Sequence, residues 1–374
     1  MPPTVAVVKI GTSSLTDASG TIDVGALAKV CDEVAALRAG GDETGHGAVR
    51  VVVVTSGAIA AGLPALGMER RPSDLATLQA VSAVGQSRLM RTWDDLLAVR
   101  GLVGGQVLLA PLDFVHRQQY LHARQTLSRL LELGVVPVVN ENDAVADDEI
   151  RFGDNDRLAA LVAHLVGASV LVLLTDTPGL FDRDPRLHAD ASLIEEIVEV
   201  DHALEGVAAG APSSERGSGG MASKLAAARI AAWSGVRAVI AGADRPGVLR
   251  DAVVGVPGVG TVVHPHDRRL PARKLWIAFA VGASGVVVVD DGARRALVER
   301  GTSLLPAGVV SVDGVFDADA AVEIAGPDGK VFAKGLVRHS SVRLSSLAGR
   351  RTAELPTDVP HEVVHRDDLV VLPS

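Results

Sequence analysis

Two lysines stand in glycine-rich turns of the kind that hold phosphate. Lys9-Ile10-Gly11-Thr12-Ser13-Ser14 follows a β-branched run, and Ser218-Gly219-Gly220-Met221-Ala222-Ser223-Lys224 leads into an alanine-rich helical stretch. Each turn offers backbone N–H groups and hydroxyls to an anion, and each lysine adds a compact charge. Neither is a Walker A loop: Lys9 precedes its glycine, and Lys224 is followed by Leu225 rather than Ser or Thr. The chain of 374 residues has 6 lysines against 30 arginines, so a generic positive charge is usually written as arginine and a lysine marks a need for a point charge. From the residues alone, an ordinary strand-turn accounts for the first stretch equally well.

Other strand ends carry polar residues of a different kind. Thr55-Ser56-Gly57-Ala58-Ile59 closes an apolar strand with two hydroxyls and a glycine. Ser56 there is either an anion ligand, together with the following amides, or only a helix N-cap. Asn140-Glu141-Asn142-Asp143 follows another strand, and Gly153-Asp154-Asn155-Asp156 comes soon after. So many amides and carboxylates would each need a partner if buried. They read as groups that fix an amino acid's orientation, with a solvated loop or a series of N-caps as the alternatives. A metal site is a further alternative, although the spacing is not that of an EF-hand. Thr175-Asp176 ends one more strand ahead of Gly179-Leu180-Phe181.

Such residues need a scaffold that brings strand ends together. Strand-like runs at 5–10, 49–55, 102–109, 135–139, 170–175 and 236–241 alternate with helical stretches at 23–39, 73–99, about 114–133 and 221–234. Ser73 is the expected N-cap of the second helix. Buried apolar strands between helices predict an α/β unit with a mostly parallel central sheet and ligands at the carboxyl ends of its strands. Residues 158–174 approach membrane-spanning length, but His164, Gly167 and Ser169 interrupt them, which predicts a buried helix turning into a strand. The polar, proline-interrupted stretch 264–274 predicts a linker, with residues 1–265 and 274–374 as domains and 266–273 between them. Beyond it, short strand-like runs at 276–281, 285–289, 309–312, 321–324 and 331–334, with turns at Asp291-Gly292, Asp313-Gly314 and Pro327-Asp328-Gly329, predict a small β-rich domain.

Composition narrows the function classes. With 48% hydrophobic and 22% charged residues the chain is globular, and 3% aromatics make its core aliphatic. A formal charge of -9 does not suit non-specific nucleic-acid binding. Cys31 is the single cysteine, which excludes a disulfide framework and a cysteine-based zinc site. The opening MPPTVAVVKIG lacks the parts of a signal peptide, so a cytoplasmic protein without a membrane anchor is expected.

In combination, Lys9–Ser13, Thr55–Gly62, Asn140–Val145, Gly153–Asp156, Thr175-Asp176 and Gly219–Lys224 resemble the amino-acid kinase superfamily. Within it the chain resembles the glutamate 5-kinase family, to which the segment Ala80-Val81-Ser82-Ala83-Val84-Gly85-Gln86-Ser87-Arg88-Leu89 points. Asp290–Ala293, Gly301–Pro306 and His365–Asp368 resemble a PUA domain. The chain departs from the family pattern in a glycine-rich insertion at 38–47, in Ser218 for Thr, and in Ala222-Ser223 for Ser-Thr.

The resemblance implies an amino-acid-kinase-like sandwich around a mostly parallel sheet, followed by a PUA-like domain. It implies ATP-dependent phosphorylation of the γ-carboxylate of L-glutamate, the first step of proline biosynthesis, with Mg2+ accompanying ATP. Lys9 and Lys224 would form the phosphoryl clamp, oriented by Asp156. Ser56, Asp143 and Asn155, with Asn140 and Asp154 nearby, would bind glutamate. Lys9, Gly11, Thr175, Asp176, Ser218, Gly219, Gly220, Met221, Ala222, Ser223 and Lys224 would bind ATP, while metal ligands stay unassigned. Proline inhibition, a homo-oligomer and coupling to glutamate-5-semialdehyde dehydrogenase are also implied. Two readings compete. One is a superfamily kinase acting on aspartate, N-acetylglutamate or UMP. The other is an RNA-binding protein acting through the PUA-like domain, whose Arg338, Arg343, Arg350 and Arg351 otherwise read as a solvated face.

Overall fold

The structure, a computed structural model, describes residues 4–372 apart from 18, 41–46, 115, 146–154, 186, 189, 201–203, 205, 209–219, 267–268, 352–353 and 355–359. The chain divides into two units, Met1–Arg269 and Leu270–Ser374.

In the first unit, strands β1 (Val5–Ile10), β2 (Arg50–Val54), β3 (Gly104–Leu109), β4 (Val136–Glu141), β5 (Val170–Thr175), β6 (Glu196–Ile197), β7 (Arg237–Gly242) and β8 (Thr261–Val263) form one sheet in the order β3-β4-β2-β1-β5-β7-β8-β6. Pairing is parallel from β3 through β7, and only β7 and β8 run antiparallel. The inner strands are runs of Val, Leu and Ile buried on both faces, as a parallel sheet between helical layers requires.

The helices that bear on the site are α1 (Val24–Ala39), α2 (Ala58–Gly62), α3 (Leu75–Ala98), α4 (Arg117–Glu132), α5 (Asn155–Val166), α6 (Met221–Trp233) and α7 (Val248–Val254). Asp74, not the expected Ser73, caps α3, its side chain accepting from the Thr77 N–H. A carboxylate is as good a cap as a hydroxyl, and adjacent candidates are not separable by pattern. Residues 158–174 form the expected helix and strand, α5 and β5. No helix among the described residues is long and apolar enough to cross a membrane.

The helices α2 and α3 touch backbone to backbone. A Cβ on Gly85 would lie 1.7 Å from the Ala58 carbonyl oxygen, and one on Gly62 would lie 2.1 Å from that of Val81. Glycine at both positions is what allows this approach.

The second unit holds a separate sheet in the order β10-β9-β11-β12-β13, built from β9 (Gly285–Val289), β10 (Val309–Gly314), β11 (Ala321–Ala325), β12 (Val331–Val337) and β13 (Val364–Val371). Its core includes Val287, Leu297, Phe316, Ile324, Leu344 and Val364. Two local expectations fail here, and two elements were not expected. Residues 276–281 are no strand: Trp276–Ala280 is a π-helical turn that continues the short helix Ala272–Leu275. A short apolar run does not distinguish the two conformations. Asp291-Gly292 is no hairpin turn, because Asp290 caps a helix α8 (Asp291–Arg300), accepting from the Ala293 N–H at 2.7 Å. The helix α9 (Ser341–Leu347) and the strand β13 had no counterpart in the pattern.

Candidate active site

Because β1, β2, β4 and β5 are parallel neighbours, the residues that close them emerge along one edge of the sheet. Lys9 pairs in register with Val54 on one side and Leu173 on the other. Thr55 and Ser56 therefore follow β2, Asn140 and Glu141 end β4, and Thr175 ends β5, all around the Lys9 position.

Asp156, in the first turn of α5, is fully buried and ties two lysines together. The Lys9 ammonium lies 2.5 Å from its Oδ1 and the Lys224 ammonium 3.2 Å from its Oδ2. The Ser223 hydroxyl donates to Oδ2 at 2.8 Å. Burial works against ionisation of Asp156, but the charges of Lys9 and Lys224 and hydrogen bonds from Lys9 and Ser223 outweigh it and hold the carboxyl well below the usual range. Its place at a helix N-terminus acts in the same sense. The trio draws on a strand end, a helix start and the first turn of α6, so distant parts of the chain meet at one buried carboxylate. Gly11 keeps the space beside the clamp open, since a Cβ there would stand 3.3 Å from the Lys9 nitrogen.

Beside the lysines lies a connected set of amides and hydroxyls. The Asn155 NH2 group faces the Thr55 carbonyl at 2.9 Å, the Ser56 hydroxyl at 3.0 Å and Asn140 Oδ1 at 2.9 Å. Asn140 Oδ1 also accepts from the Glu141 N–H at 3.0 Å, and Asn140 Nδ2 donates to Gln86 Oε1 at 2.8 Å. The Ser82 hydroxyl donates to Asp143 Oδ2 at 2.6 Å. Trp93, fully buried in α3, donates its indole N–H to the Thr55 hydroxyl at 3.2 Å and so fixes the end of β2.

The sequence-expected residues thus divide into groups. Lys9, Asp156, Lys224 and Ser223 meet, and Ser56, Asn140 and Asn155 meet. Asp143 is held from α3, and Thr175 donates to Asp176 Oδ1 at 3.2 Å. Gly220 precedes α6, with Met221 and Ala222 in its first turn. Asp154, Ser218 and Gly219 lie outside the described residues, as does most of the 38–47 insertion. Ser82 and Gln86 are the polar residues that sequence reading left without a role. Their signal was two polar side chains four apart in an otherwise small and apolar helical segment. Among the described residues no group of three or more His, Cys, Asp or Glu side chains is placed to hold a metal ion.

Comparison with known proteins gives this arrangement a lineage. The amino acid kinase family model matches residues 4–242, and the PUA domain model matches residues 285–357. The chain is 47% identical to the glutamate 5-kinase of Mycobacterium avium (strain 104) over 98% of its own length and 96% of that protein's. It is 48% identical to the glutamate 5-kinase of Rhodococcus opacus (strain B4) over 98% and 96% of the two chains. Against that of Mycobacterium tuberculosis (strain ATCC 25618 / H37Rv), identity is 48% over 98% and 94%. By family model and by near-full-length identity, the chain belongs to the amino acid kinase family, as one of its glutamate 5-kinases with a PUA domain.

Proposed function

We propose that the chain transfers the γ-phosphoryl group of ATP to the γ-carboxylate of L-glutamate, giving γ-glutamyl phosphate and ADP, the first step of proline biosynthesis. The observation that carries the mechanism is the pair of lysines held on one buried carboxylate at the strand-end edge.

The attacking carboxylate is ionised at neutral pH, with an ordinary pKa of about 4.3, so no general base is needed. The obstacle is an anion approaching a polyanion, and it is met by alignment and by fixed positive charge. Lys9 and Lys224 supply that charge to the transferring phosphoryl group, and Asp156 holds both in place. Asp143 and Asn155 receive the substrate ammonium, with Ser56 and Asn140 beside them. Thr175, Asp176 and the start of α6 receive the nucleotide. The donor set suits Mg2+ carried on the triphosphate rather than in a protein cage, because Asp156 is engaged by both lysines. Bound in that way, Mg2+ would supply neutralising charge to the phosphate oxygens.

The product is an acyl phosphate and hydrolyses readily, which favours prompt consumption by a reductase such as glutamate-5-semialdehyde dehydrogenase. Feedback by proline, self-association and a cytoplasmic location belong to the same proposal. An ADP-release assay with glutamate, aspartate, N-acetylglutamate and UMP side by side tests it. Turnover with glutamate alone is expected, and preference for any of the other three overturns the substrate assignment.

A further inference from the structure

The ammonium reading of Asp143 and Asn155 leaves open what fixes the hydrogen-bonding sense of those two groups, and the present inference rests on that reading. We propose that Ser82 and Gln86, on one face of α3, are positioning residues that set the ammonium site and let it select an α-amino dicarboxylate over one that lacks the amino group.

The two ends of a carboxamide are alike in shape and opposite in chemistry. The nitrogen end of Asn155 faces the Thr55 carbonyl oxygen, which can only accept, and so cannot be exchanged for the oxygen end without repulsion. It also faces Asn140 Oδ1, whose own sense is fixed by accepting from the Glu141 N–H, while the Asn140 nitrogen donates to Gln86 Oε1. Asn140 is 2% exposed and Gln86 9%, so water does not repair a reversed amide here. The relay from Gln86 through Asn140 to Asn155 ends at Asn155 Oδ1. That oxygen is buried and has no hydrogen-bond partner among the described residues. A buried acceptor left unmatched is costly, and an ammonium group is a donor in every direction.

Ser82 lies one helical turn before Gln86, on the same face of α3. Its hydroxyl donates to Asp143 Oδ2 at 2.6 Å, which helps to fix the rotation of that carboxylate. One helix face therefore steadies both groups assigned to the ammonium: a carboxylate held in rotation and an amide held with its nitrogen toward Thr55 and Asn140.

The test uses the full chain and compares glutamate with glutarate, which has both carboxylates and no amino group. Steady-state constants for glutamate and ATP, and the inhibition constant of glutarate against glutamate, are measured for the parent, Ser82→Ala, Gln86→Met, Gln86→Glu and Asp143→Asn. Ser82→Ala and Gln86→Met are expected to raise the glutamate KM about tenfold, the size of one lost hydrogen bond to a charged site. They should leave kcat, the ATP KM and the glutarate inhibition constant within about twofold. Gln86→Glu keeps an acceptor for Asn140 and should recover most of the loss. Equal weakening of glutamate and glutarate, or an unchanged glutamate KM in both Ser82→Ala and Gln86→Met, overturns the inference. If Asp143→Asn weakens glutamate selectively while the α3 variants do not, the ammonium reading stands and only the role of α3 falls. If Asp143→Asn shows no such selectivity, the ammonium reading itself fails and takes the inference with it.

Discussion

Asp156 and its two lysines respond unequally to loss. Removing either lysine keeps the other ammonium on the carboxylate, whereas removing the carboxylate charge leaves two ammonium groups directed at the same buried point. Lys9→Ala and Lys224→Ala are accordingly expected to fold and to lower kcat by about 10²-fold or more, the effect of deleting one preorganised charge at a transition state. KM values should move less, and steady-state kinetics on each variant check this. Turnover at the parental level would remove that lysine from the mechanism. Asp156→Asn should cost stability as well, by about 3–5 kcal/mol at neutral pH, as breaking a buried ion pair does. The sign with pH follows from the depressed pKa. The group stabilises the fold above its ordinary value of 3.8, and that contribution is lost as pH falls from there through the folded value. Denaturant unfolding of the parent and Asp156→Asn should thus show a gap at pH 7 that narrows below about pH 4. A gap independent of pH would mean that packing, not charge, is what Asp156 supplies.

Among the elements, α3 does the least visible work in the sequence and the most in the site. Its glycine at position 85 admits α2 to direct backbone contact, its Trp93 fixes the end of β2, and its Ser82 and Gln86 reach Asp143 and Asn140. Gly85→Ala would place a methyl group inside the Ala58 carbonyl, so the helices must part. A loss of about 1–3 kcal/mol or more is expected by urea unfolding, with the glutamate KM rising because Ser82 and Gln86 shift together. Unchanged stability would show that the two helices can separate freely. The strands and the long helices of the first unit were legible because apolar runs and 3.6-residue periodicity report burial directly. Lys9, Lys224 and the polar strand ends were legible because unusual chemistry stood at turns. The helix face was not, because two polar residues four apart look like a solvated stripe until the fold brings Asp143 and Asn140 to them. In the second unit, Trp276–Ala280 misled for the converse reason: five apolar residues fit a strand or a helical turn equally, and only their continuation from Ala272–Leu275 decides.

At the scale of the whole chain, every residue assigned to chemistry lies in the unit Met1–Arg269. A chain ending at Arg269 is expected to fold and to phosphorylate glutamate, with the second unit free to alter assembly or proline response. Circular dichroism and ADP release on residues 1–269 check this. A folded, soluble fragment without activity would move part of the site beyond residue 269. The wide spacing of Lys9, Asp156 and Lys224 also has a consequence for the protein's birth on the ribosome. Translation at about 5–20 residues per second leaves Lys9 waiting roughly ten to forty seconds before Lys224 is made. Throughout that interval the nascent chain carries Lys9 without the second lysine of the pair, and β1 gains its sheet neighbours only as β2 and then β5 are made. If residues 1–269 suffice for activity, competence comes only when α6 and β7 have emerged and docked, while the last hundred or so residues are still being translated.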